Sequence, residues 1–535
     1  MATIVNFHGK NYIEPGAYAV SVYNPTSVVN VANFGNVMII DTGLSKDSDG
    51  YEFAGGSGIH GELAKGLKSV YEFDNFEDFL SFMHGGLMSD ITEKIFTPMQ
   101  GVLGAPKVYY CRAATTKAAK LTIGGIKLTC KNEGVVGNAK FEGGALKAGY
   151  TAQIDKGEEN ESKFILRVFR GNYMGTDEHG EAFGSTTKES AAAALIAESP
   201  EFSTSGELFS WARRNMVMLA NFKLDLTVSE DTALEVTESV SAEGGTTEWM
   251  KDTEYADALE AISEMDITFF LCLNLTAGAG TDPATNGKLF TYLKQTAKYT
   301  EFMFIPGGTS DFDLMGESDS SQAIARYYDS SQAVVVHGAP IVNRKDGNGT
   351  KQLNPIYLTA AVLGLNAGMA PQSPLTLKRV GYQSFAYDLK KKEREKALQA
   401  GILHMRNVSG FWCVNQGITT LQNNEQIFAP DGQSMELSVE LIKAQLNKEM
   451  MIEAENRFNG NTIAQANPQS VKNFVETKLQ TLVAYPGNDN LILDWKNVKV
   501  SAKNSDYFVT YDFVPNLPVN KVFFTGNALD FTLSV

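Results

Sequence analysis

The chain has 535 residues, of which 43% are hydrophobic and 20% are charged, and these shares are typical of a globular protein with a sizeable core. Asp and Glu number 62 against 46 Lys and Arg, so the formal net charge is −16. A surface this acidic argues against nucleic acid and against anionic lipid as partners, because both need a basic footprint. Four cysteines in a chain of this length exclude a disulfide scaffold.

The start of the chain carries no targeting signal. Residues 1–10 have no basic start, no long apolar stretch and no cleavage site, so we expect no signal peptide. The sequence has no run of 18 or more apolar residues, so we expect no membrane insertion. We therefore expect a protein that folds in a reducing cytoplasm, with about three to four domains for its length.

The N-terminal part has the pattern of an α/β domain. Residues 2–7 form a short β-prone stretch, and residues 36–41 form a continuously apolar run that predicts a strand buried on both faces. The apolar spacing over 75–96 is helical, with a break at the glycines of 85–86. Residues 107–112 predict another strand.

From 121 to about 240 the pattern changes to short β-strands. Residues 163–169 alternate between apolar and polar side chains, as a strand with one buried face does. Helices are predicted near 187–198 and 207–215. This stretch indicates an inserted β-rich domain with small helices.

Between 253 and 337 helices and strands alternate, which predicts a parallel sheet with crossover helices. The predicted helices are 255–265, 286–299 and 319–329, and the predicted strands are 267–273, 301–305 and 333–337.

The remainder of the chain has an α+β pattern. The predicted helices are 355–366, 388–400, 434–458 and 468–484, and the third of them is read as long and amphipathic. The predicted strands are 412–414 paired with 418–421, then 491–493, 498–501, 507–515 and 521–525. Residues 529–535 alternate strictly up to the end of the sequence, which is typical of a strand.

No pattern of catalytic chemistry stands out. Residues 56–61 match G-x-G-x-x-G, but the preceding strand ends near Asp41, too far upstream for a dinucleotide site. The histidines and cysteines lack metal-ligand spacing. We therefore predict no catalytic residue, no cofactor and no metal, and favour a structural protein. The less favoured alternative is an α/β enzyme with its site at the strand ends of the parallel sheet.

Five segments follow one another in an order that is familiar from one family. They are 12–18 (YIEPGAY), 128–138 (LTCKNEGVVGN), 355–364 (PIYLTAAVLG), 398–402 (LQAGI) and 410–421 (GFWCVNQGITTL). In order and spacing they resemble motifs of the tail sheath proteins of contractile bacteriophages. Glu133 stands where that family usually has proline and Val136 where it has tryptophan, and 417–420 replaces the usual arginine form.

The resemblance implies a structural subunit that polymerises as stacked rings around an inner tail tube. The polymer contracts and drives the tube through the host envelope for genome delivery. The implied partners are other copies of the chain in a helical homo-oligomer, the tail tube protein, and the baseplate and tail terminator proteins. The implied location is the tail of the virion, after synthesis in the host cytoplasm. An alternative is the sheath of a secretion-type or extracellular contractile injection system.

With this family in view, we expect an α/β and α+β multidomain protein with terminal β-strand arms. The expected parts are an N-terminal arm (1–20), an α/β sheath domain (21–118 and 246–350), an inserted outer β-rich domain (119–245), a C-terminal α+β sheath domain (351–520) and a C-terminal arm strand (521–535).

Two groups of residues are candidates for contacts between proteins. The arms are expected to add strands to sheets of neighbouring subunits, because free strands template pairing between chains. The arm residues are Ile4, Val5, Phe7, Leu529, Phe531, Leu533 and Val535. The resemblance implies a helix near 434–458 that attaches to the inner tube. The candidate residues for facing the tube on this helix are Lys443, Lys448 and Arg457.

Overall fold

The fold was taken from a computed structural model of the chain. The structure describes residues 34–41, 70–83, 87–112, 114–134, 137–172, 192–215, 217–219, 221–249, 265–272, 300–309, 314–316, 320–343, 349–422, 433–486, 488–504 and 506–520. It also describes short pieces at 5–7, 10–12, 44–46 and 52–54, and positions 262, 290–291 and 294.

Strands dominate the described residues. They are β1 Val5–Phe7, β2 Lys10–Tyr12, β3 Val37–Asp41, β4 Leu44–Lys46, β5 Glu52–Ala54, β6 Val70–Phe73, β7 Val108–Arg112, β8 Ala114–Ile123, β9 Ile126–Glu133, β10 Lys140–Glu142, β11 Ala145–Ala148, β12 Tyr150–Lys156, β13 Phe164–Arg170, β14 Ala194–Glu198, β15 Phe222–Leu226, β16 Thr237–Ser241, β17 Thr246–Trp249, β18 Phe269–Cys272, β19 Phe302–Pro306, β20 Ala333–His337, β21 Pro340–Asn343, β22 Thr350–Gln352, β23 Ser384–Phe385, β24 Ile402–Val408, β25 Phe411–Val414, β26 Ile492–Lys503 and β27 Asp506–Pro515. The helices are α1 Phe76–Met83, α2 Leu87–Phe96, α3 Ser205–Arg214, α4 Ser321–Tyr328, α5 Pro355–Ala367, α6 Lys391–Gln399, α7 Leu437–Phe458 and α8 Pro468–Thr481.

The centre of the molecule is an eight-stranded sheet in the order β25-β24-β20-β19-β18-β3-β7-β6. The six inner strands run parallel, and the two edge strands β25 and β6 pair antiparallel. The inner strands are runs of apolar residues buried on both faces, as parallel strands between helical layers are. The predicted parallel sheet is therefore present, although most of the predicted helices 255–265 and 286–299 lie outside the described residues.

Helices cover both faces of this sheet. On one face α5 packs with α2 against the strands, and every residue of α5 is buried. Asn354 caps the N-terminus of α5 by accepting a hydrogen bond from the backbone of Ile356, and Pro355 occupies the first turn, where its missing N–H costs nothing. On the other face α4 and α6 contribute residues such as Ile324 and Ala397 to a second core.

Residues 119–242 form a separate β-rich core. Two four-stranded antiparallel sheets, β14-β13-β12-β16 and β15-β9-β8-β17, surround it, and α3 packs against it. The helix predicted over 187–198 is wrong where the structure describes it, because Ala194–Glu198 is strand β14. Its pairing with β13 outweighs the helix propensity of its alanines. The predicted helix 207–215 is present as α3, which starts with a capping box between Thr204 and Glu207.

The predicted pairing of 412–414 with 418–421 is wrong. Strand β25 pairs instead with the preceding strand β24 through the two-residue turn Ser409–Gly410. Both turn residues have positive φ, 53° and 88°, as a tight hairpin requires. Ile418 makes only an isolated bridge to Glu436. Since β24 and β25 extend the central sheet, the expected domain boundary at 350 divides a continuous sheet.

The last described part of the chain combines α7, α8 and a long two-stranded ribbon, β26–β27. Ile442 and Leu446 of α7, Leu479 of α8 and Phe513 of the ribbon share one core. Lys478 of α8 forms an ion pair with Glu449 of α7 at 2.6 Å. The two predicted strands 491–493 and 498–501 are one strand, because an irregularity in pairing at Lys496–Lys499, beside the positive-φ Asn497, bends β26 without ending it.

Candidate assembly surfaces

The described residues contain no group that resembles a metal or redox site. No cluster of three or more His, Cys, Asp or Glu side chains in this part of the chain could hold a metal ion. Cys111 and Cys130 are buried, and burial raises the pKa of each thiol to about 12, so neither is a reactive thiolate at neutral pH. No helix in the described ranges is both long and apolar enough to cross a membrane.

One Ser–His pair lies in the central domain. The Ser321 Oγ and the His337 Nδ1 are 2.8 Å apart, and the same Oγ accepts a hydrogen bond from the backbone of Gly308 at 2.7 Å. Ser321 is 0% exposed and His337 is 3% exposed, so neither side chain can meet a substrate from solvent. The contact ties α4 to the end of β20, which is a structural role.

The ribbon β26–β27 is a two-stranded antiparallel sheet made of unusually long strands. Its strands have 12 and 10 residues, about twice the usual length. No third strand among the described residues joins either edge, apart from an isolated bridge between Val483 and Ile492. Ile492, Val498 and Phe513 of the ribbon share a core with α7 and α8, so the ribbon is packed firmly against these two helices.

The sequence reasoning did not single out this ribbon, because it considered only the strands that the arms would donate. The signal in the sequence was the succession of two long β-prone runs separated by two residues, Asn504 and Ser505, at the end of the globular part. Lys499 and Lys503 are exposed on β26, and lysines on an exposed strand guard it against unspecific aggregation.

The structure describes the arm candidates only in part. Val5 and Phe7 lie on β1, which pairs antiparallel with β2 of the same chain, with Val5 opposite Tyr12 and Phe7 opposite Lys10. Ile4 and the C-terminal arm residues Leu529, Phe531, Leu533 and Val535 lie outside the described residues. Pairing of these arms with other subunits stays a prediction.

Two of the three candidates for facing the tube are turned into the molecule. Lys443 forms an ion pair with Glu440 at 2.5 Å, and the two side chains are only 12% and 9% exposed. The side chain of Lys448 is 9% exposed and forms an ion pair with Asp266, next to the central sheet. Over most of its first 15 residues α7 is buried on its polar and apolar sides alike, so in this part it is not the amphipathic helix that the sequence predicted.

Arg457, the third candidate, is exposed near the end of α7. Its guanidinium lies 5.1 Å from the centre of the Phe474 ring on α8, an arrangement that leaves its charge accessible to solvent. Lys443, Lys448 and Arg457 therefore do not form a basic patch on the surface of α7. Contact of this helix with a tube stays a prediction, and Arg457 is the exposed one of its three candidates.

Burial also governs the carboxylates at the start of α7. The pKa values of Glu436 and Glu440 are raised, chiefly because both carboxyl groups are removed from water. Lys443 and the backbone N–H of Ser434 oppose this shift for Glu440. Within the described ranges the carboxylate of Glu436 accepts hydrogen bonds from two neutral side-chain amides, those of Gln416 and Asn520, at 3.0 Å each.

Sequence comparison relates the chain to one kind of protein along nearly its whole length. No family model matches it. It is 23% identical to the tail sheath protein of Bacillus phage SP01, over 97% of this chain and 96% of that protein. The resemblance to tail sheath proteins is confirmed.

A solved sheath structure shares the fold. A sheath tail protein of Desulfitobacterium hafniense matches with a TM-score of 0.52 at 15% identity, over 93% of this chain and 100% of that one. A sheath tail protein of Listeria innocua matches with a TM-score of 0.49 at 13% identity, over 91% and 96% of the two chains. The mixed α/β multidomain architecture with several sheets is therefore that of a sheath protein.

These relatives also decide between the two classes of function that the sequence left open. They are structural sheath proteins and not enzymes. The expectation of a structural, non-enzymatic tail protein is confirmed by them, and the α/β enzyme is the less favoured alternative that they contradict.

Proposed function

We propose that this chain is the repeating subunit of a contractile phage tail sheath. Many copies would stack as rings around an inner tube, and their compression would drive that tube through the envelope of the host for genome delivery. The observation that carries the proposal is the similarity to a phage tail sheath protein over 97% of the chain. The proposed partners are further copies of the chain, the tail tube protein, and the baseplate and terminator proteins at the two ends of the tail.

The ribbon supplies a physical means of linking subunits. An extended strand of a neighbouring subunit would add to this ribbon through backbone hydrogen bonds, each worth about 0.5–1.5 kcal/mol net. The seven residues 529–535 alternate apolar and polar side chains and are short enough to pair along either ribbon strand. We propose that terminal arms of neighbouring subunits add to this ribbon.

Such a linkage suits a polymer that changes shape. The arms would keep neighbouring subunits connected while the rigid bodies, each built on its eight-stranded sheet, move relative to one another. The globular part would then not need to unfold during contraction. The net charge of −16 keeps free subunits soluble before they assemble.

A second candidate is the sheath of a secretion-type or extracellular contractile injection system. It predicts the same polymer and the same arms. The genes that neighbour the sheath gene separate the two, since capsid and genome-packaging genes accompany a phage tail and are missing from an injection particle.

The direct test is electron microscopy of the purified protein, alone and with its tube protein. We expect long hollow tubes or stacked rings. A variant that ends at residue 528 should remain a folded, soluble monomer and form no tubes, because it lacks the donated strand. Tubes of normal length and contraction from this truncated chain would disprove arm exchange at the C-terminus.

A single substitution provides a milder version of the same test. Phe531→Pro removes one backbone donor from the arm and should block assembly, since proline cannot take part in a strand ladder as a donor. Thr532→Ala is the matched control, because it keeps every backbone donor and should assemble as the unmodified protein does.

A further inference from the structure

The root of the C-terminal arm is fastened to the body at two places. Residues 516–520 follow β27 and are the last that the structure describes. At their start the Asn516 side chain donates to the carboxylate of Asp489 at 2.8 Å and to the carbonyl of Asn490 at 2.7 Å. At their end the Asn520 side chain donates to the Glu436 Oε2 at 3.0 Å. We call residues 516–520 the strap.

The second fastening connects distant parts of the fold. Glu436 immediately precedes α7 and is 84 residues away from Asn520 along the chain. Its Oε2 also accepts a hydrogen bond from the Gln416 side chain, in the segment that follows β25. The strap therefore runs from the turn beside the ribbon to the junction of the central sheet with α7. The Asn516 backbone N–H also donates to the carbonyl of Leu491 at 2.8 Å, and Leu517 and Pro518 are half-buried. Val519 is 81% exposed, so at the far end of the strap the contact of Asn520 with Glu436 stands without burial of the neighbouring apolar side chain.

Glu436 is an unusual residue to find at such a place. It is 3% exposed, and its Oε1 has no hydrogen-bond partner among the residues that the structure describes. A buried carboxyl group costs free energy unless something compensates it, and its pKa is raised accordingly. The positive end of the α7 helix dipole offsets part of this cost. An apolar residue would fill this position if only packing mattered. We therefore attribute the role of Glu436 to its carboxylate oxygen, which accepts hydrogen bonds.

We propose that Glu436 is the positioning residue of the C-terminal arm. By accepting the amide of Asn520 it fixes the point and the direction in which residues 521–535 leave the subunit. The inference rests on the proposed arm exchange for its purpose, but the fastening itself is a property of the single subunit. A fixed root limits the conformations of the arm and so lowers the entropy cost of placing it on a neighbour.

The test exchanges donor and acceptor. Asn520→Asp places a carboxylate against Glu436, and amide hydrogen exchange at residues 519–520 of unassembled subunits should rise at least about tenfold, the loss expected for a charge-assisted hydrogen bond. The double variant Glu436→Gln with Asn520→Asp restores the bond with its polarity reversed, and exchange should return close to that of the unmodified chain. Asn473→Asp, an exposed position on α8, makes the same charge change as a control and should leave 519–520 unaffected.

Each result decides the matter. Unchanged exchange in Asn520→Asp, an equal rise in the Asn473→Asp control, or a failure of the double variant to restore protection would overturn the role of Glu436. These measurements need no polymer, so they can fail while the unmodified chain still forms tubes, or succeed while it does not. Failure of this inference and failure of the proposed function are thus told apart.

Discussion

Some charged side chains that the sequence suggests are on the surface are buried in this fold. Lys443 and Lys448 lie on a helix between two cores, and each is matched there by a carboxylate. A buried ion pair adds little net stability, but removing one partner leaves an uncompensated charge. The effect of substitutions on α7 should therefore depend on burial more than on charge.

The first prediction follows from this difference. Lys443→Glu places two carboxylates together in a site less than about one eighth exposed, and should destabilise the fold by about 3–5 kcal/mol, as other broken buried pairs do. Arg457→Glu on the exposed end of the same helix should change stability by less than about 0.5 kcal/mol. Thermal unfolding of both variants checks this, and equal melting temperatures would contradict it.

A second prediction concerns pH. His404 is completely buried; its Nδ1–H donates to the carbonyl of Ile402 and its Nε2 accepts from the Asn415 amide, so the ring is neutral. Burial chiefly lowers its pKa from 6.5 to about 4. As the pH falls, His404 takes up a proton in the unfolded chain before it does so in the folded one. The contribution of His404 to the free energy of unfolding is therefore complete above pH 6.5 and is lost as the pH falls towards 4.

The measurement is the difference between two denaturation series. Between pH 6.5 and pH 4 the free energy of unfolding of the unmodified chain should fall by up to about 3 kcal/mol more than that of His404→Gln, since one pKa unit corresponds to about 1.4 kcal/mol. Parallel pH profiles for the two proteins would show that His404 does not titrate differently in the folded state.

At the scale of elements, close backbone contact sets the position of the helices on the sheet. Gly364 of α5 faces α2 so closely that an added Cβ would lie 2.5 Å from the carbonyl oxygen of Lys94 and 2.6 Å from that of Ile95. These atoms belong to the backbone of a packed helix and cannot turn aside. Glycine at this position therefore lets α2 and α5 cross in close contact, although glycine has a poor helix propensity.

A third prediction tests this crossing. Gly364→Ala should destabilise the protein by about 1–3 kcal/mol through overpacking, although alanine favours a helix more than glycine does. Gln480→Ala on the exposed face of α8 is the control and should be close to neutral. Chemical denaturation measures both, and a Gly364→Ala variant as stable as the control would mean that α2 and α5 can separate at little cost.

At the scale of the whole molecule, the β-rich core of 119–242 is joined to the sheath body by two strands that pair with each other. Lys117 of β8 lies opposite Thr246 of β17, and Ala114 lies opposite Trp249. Entry and exit of the chain are thus adjacent, as in a domain inserted into a loop. We propose that this domain faces outward and takes no part in the polymer core.

A fourth prediction follows from the adjacency of these strands. Replacing 118–245 by Asn-Gly should close a hairpin between Lys117 and Thr246, since a two-residue turn joins directly paired positions. The shortened chain should fold and still form tubes, as judged by electron microscopy. A folded variant that never assembles would place the domain in the polymer core instead.

The sequence by itself determined the elements whose signals are local. Continuous apolar runs such as 333–337 predicted buried strands. An apolar stretch with a proline at its start predicted a helix over 355–366, and the observed helix α5 is one residue longer. The order of short motifs was enough to indicate the sheath family, because it depends on no contact between distant residues.

The tertiary structure alone decided how these elements combine. The parallel pairing of β24 with β20, the burial of Lys448 against Asp266, and the packing of the ribbon against α7 and α8 all depend on residues far apart in the chain. The same holds for the contact of Glu436 with Asn520, across 84 residues. Local periodicity carries no information about such pairs, since the free energy that selects them comes from packing and hydrogen bonds formed only in the complete fold.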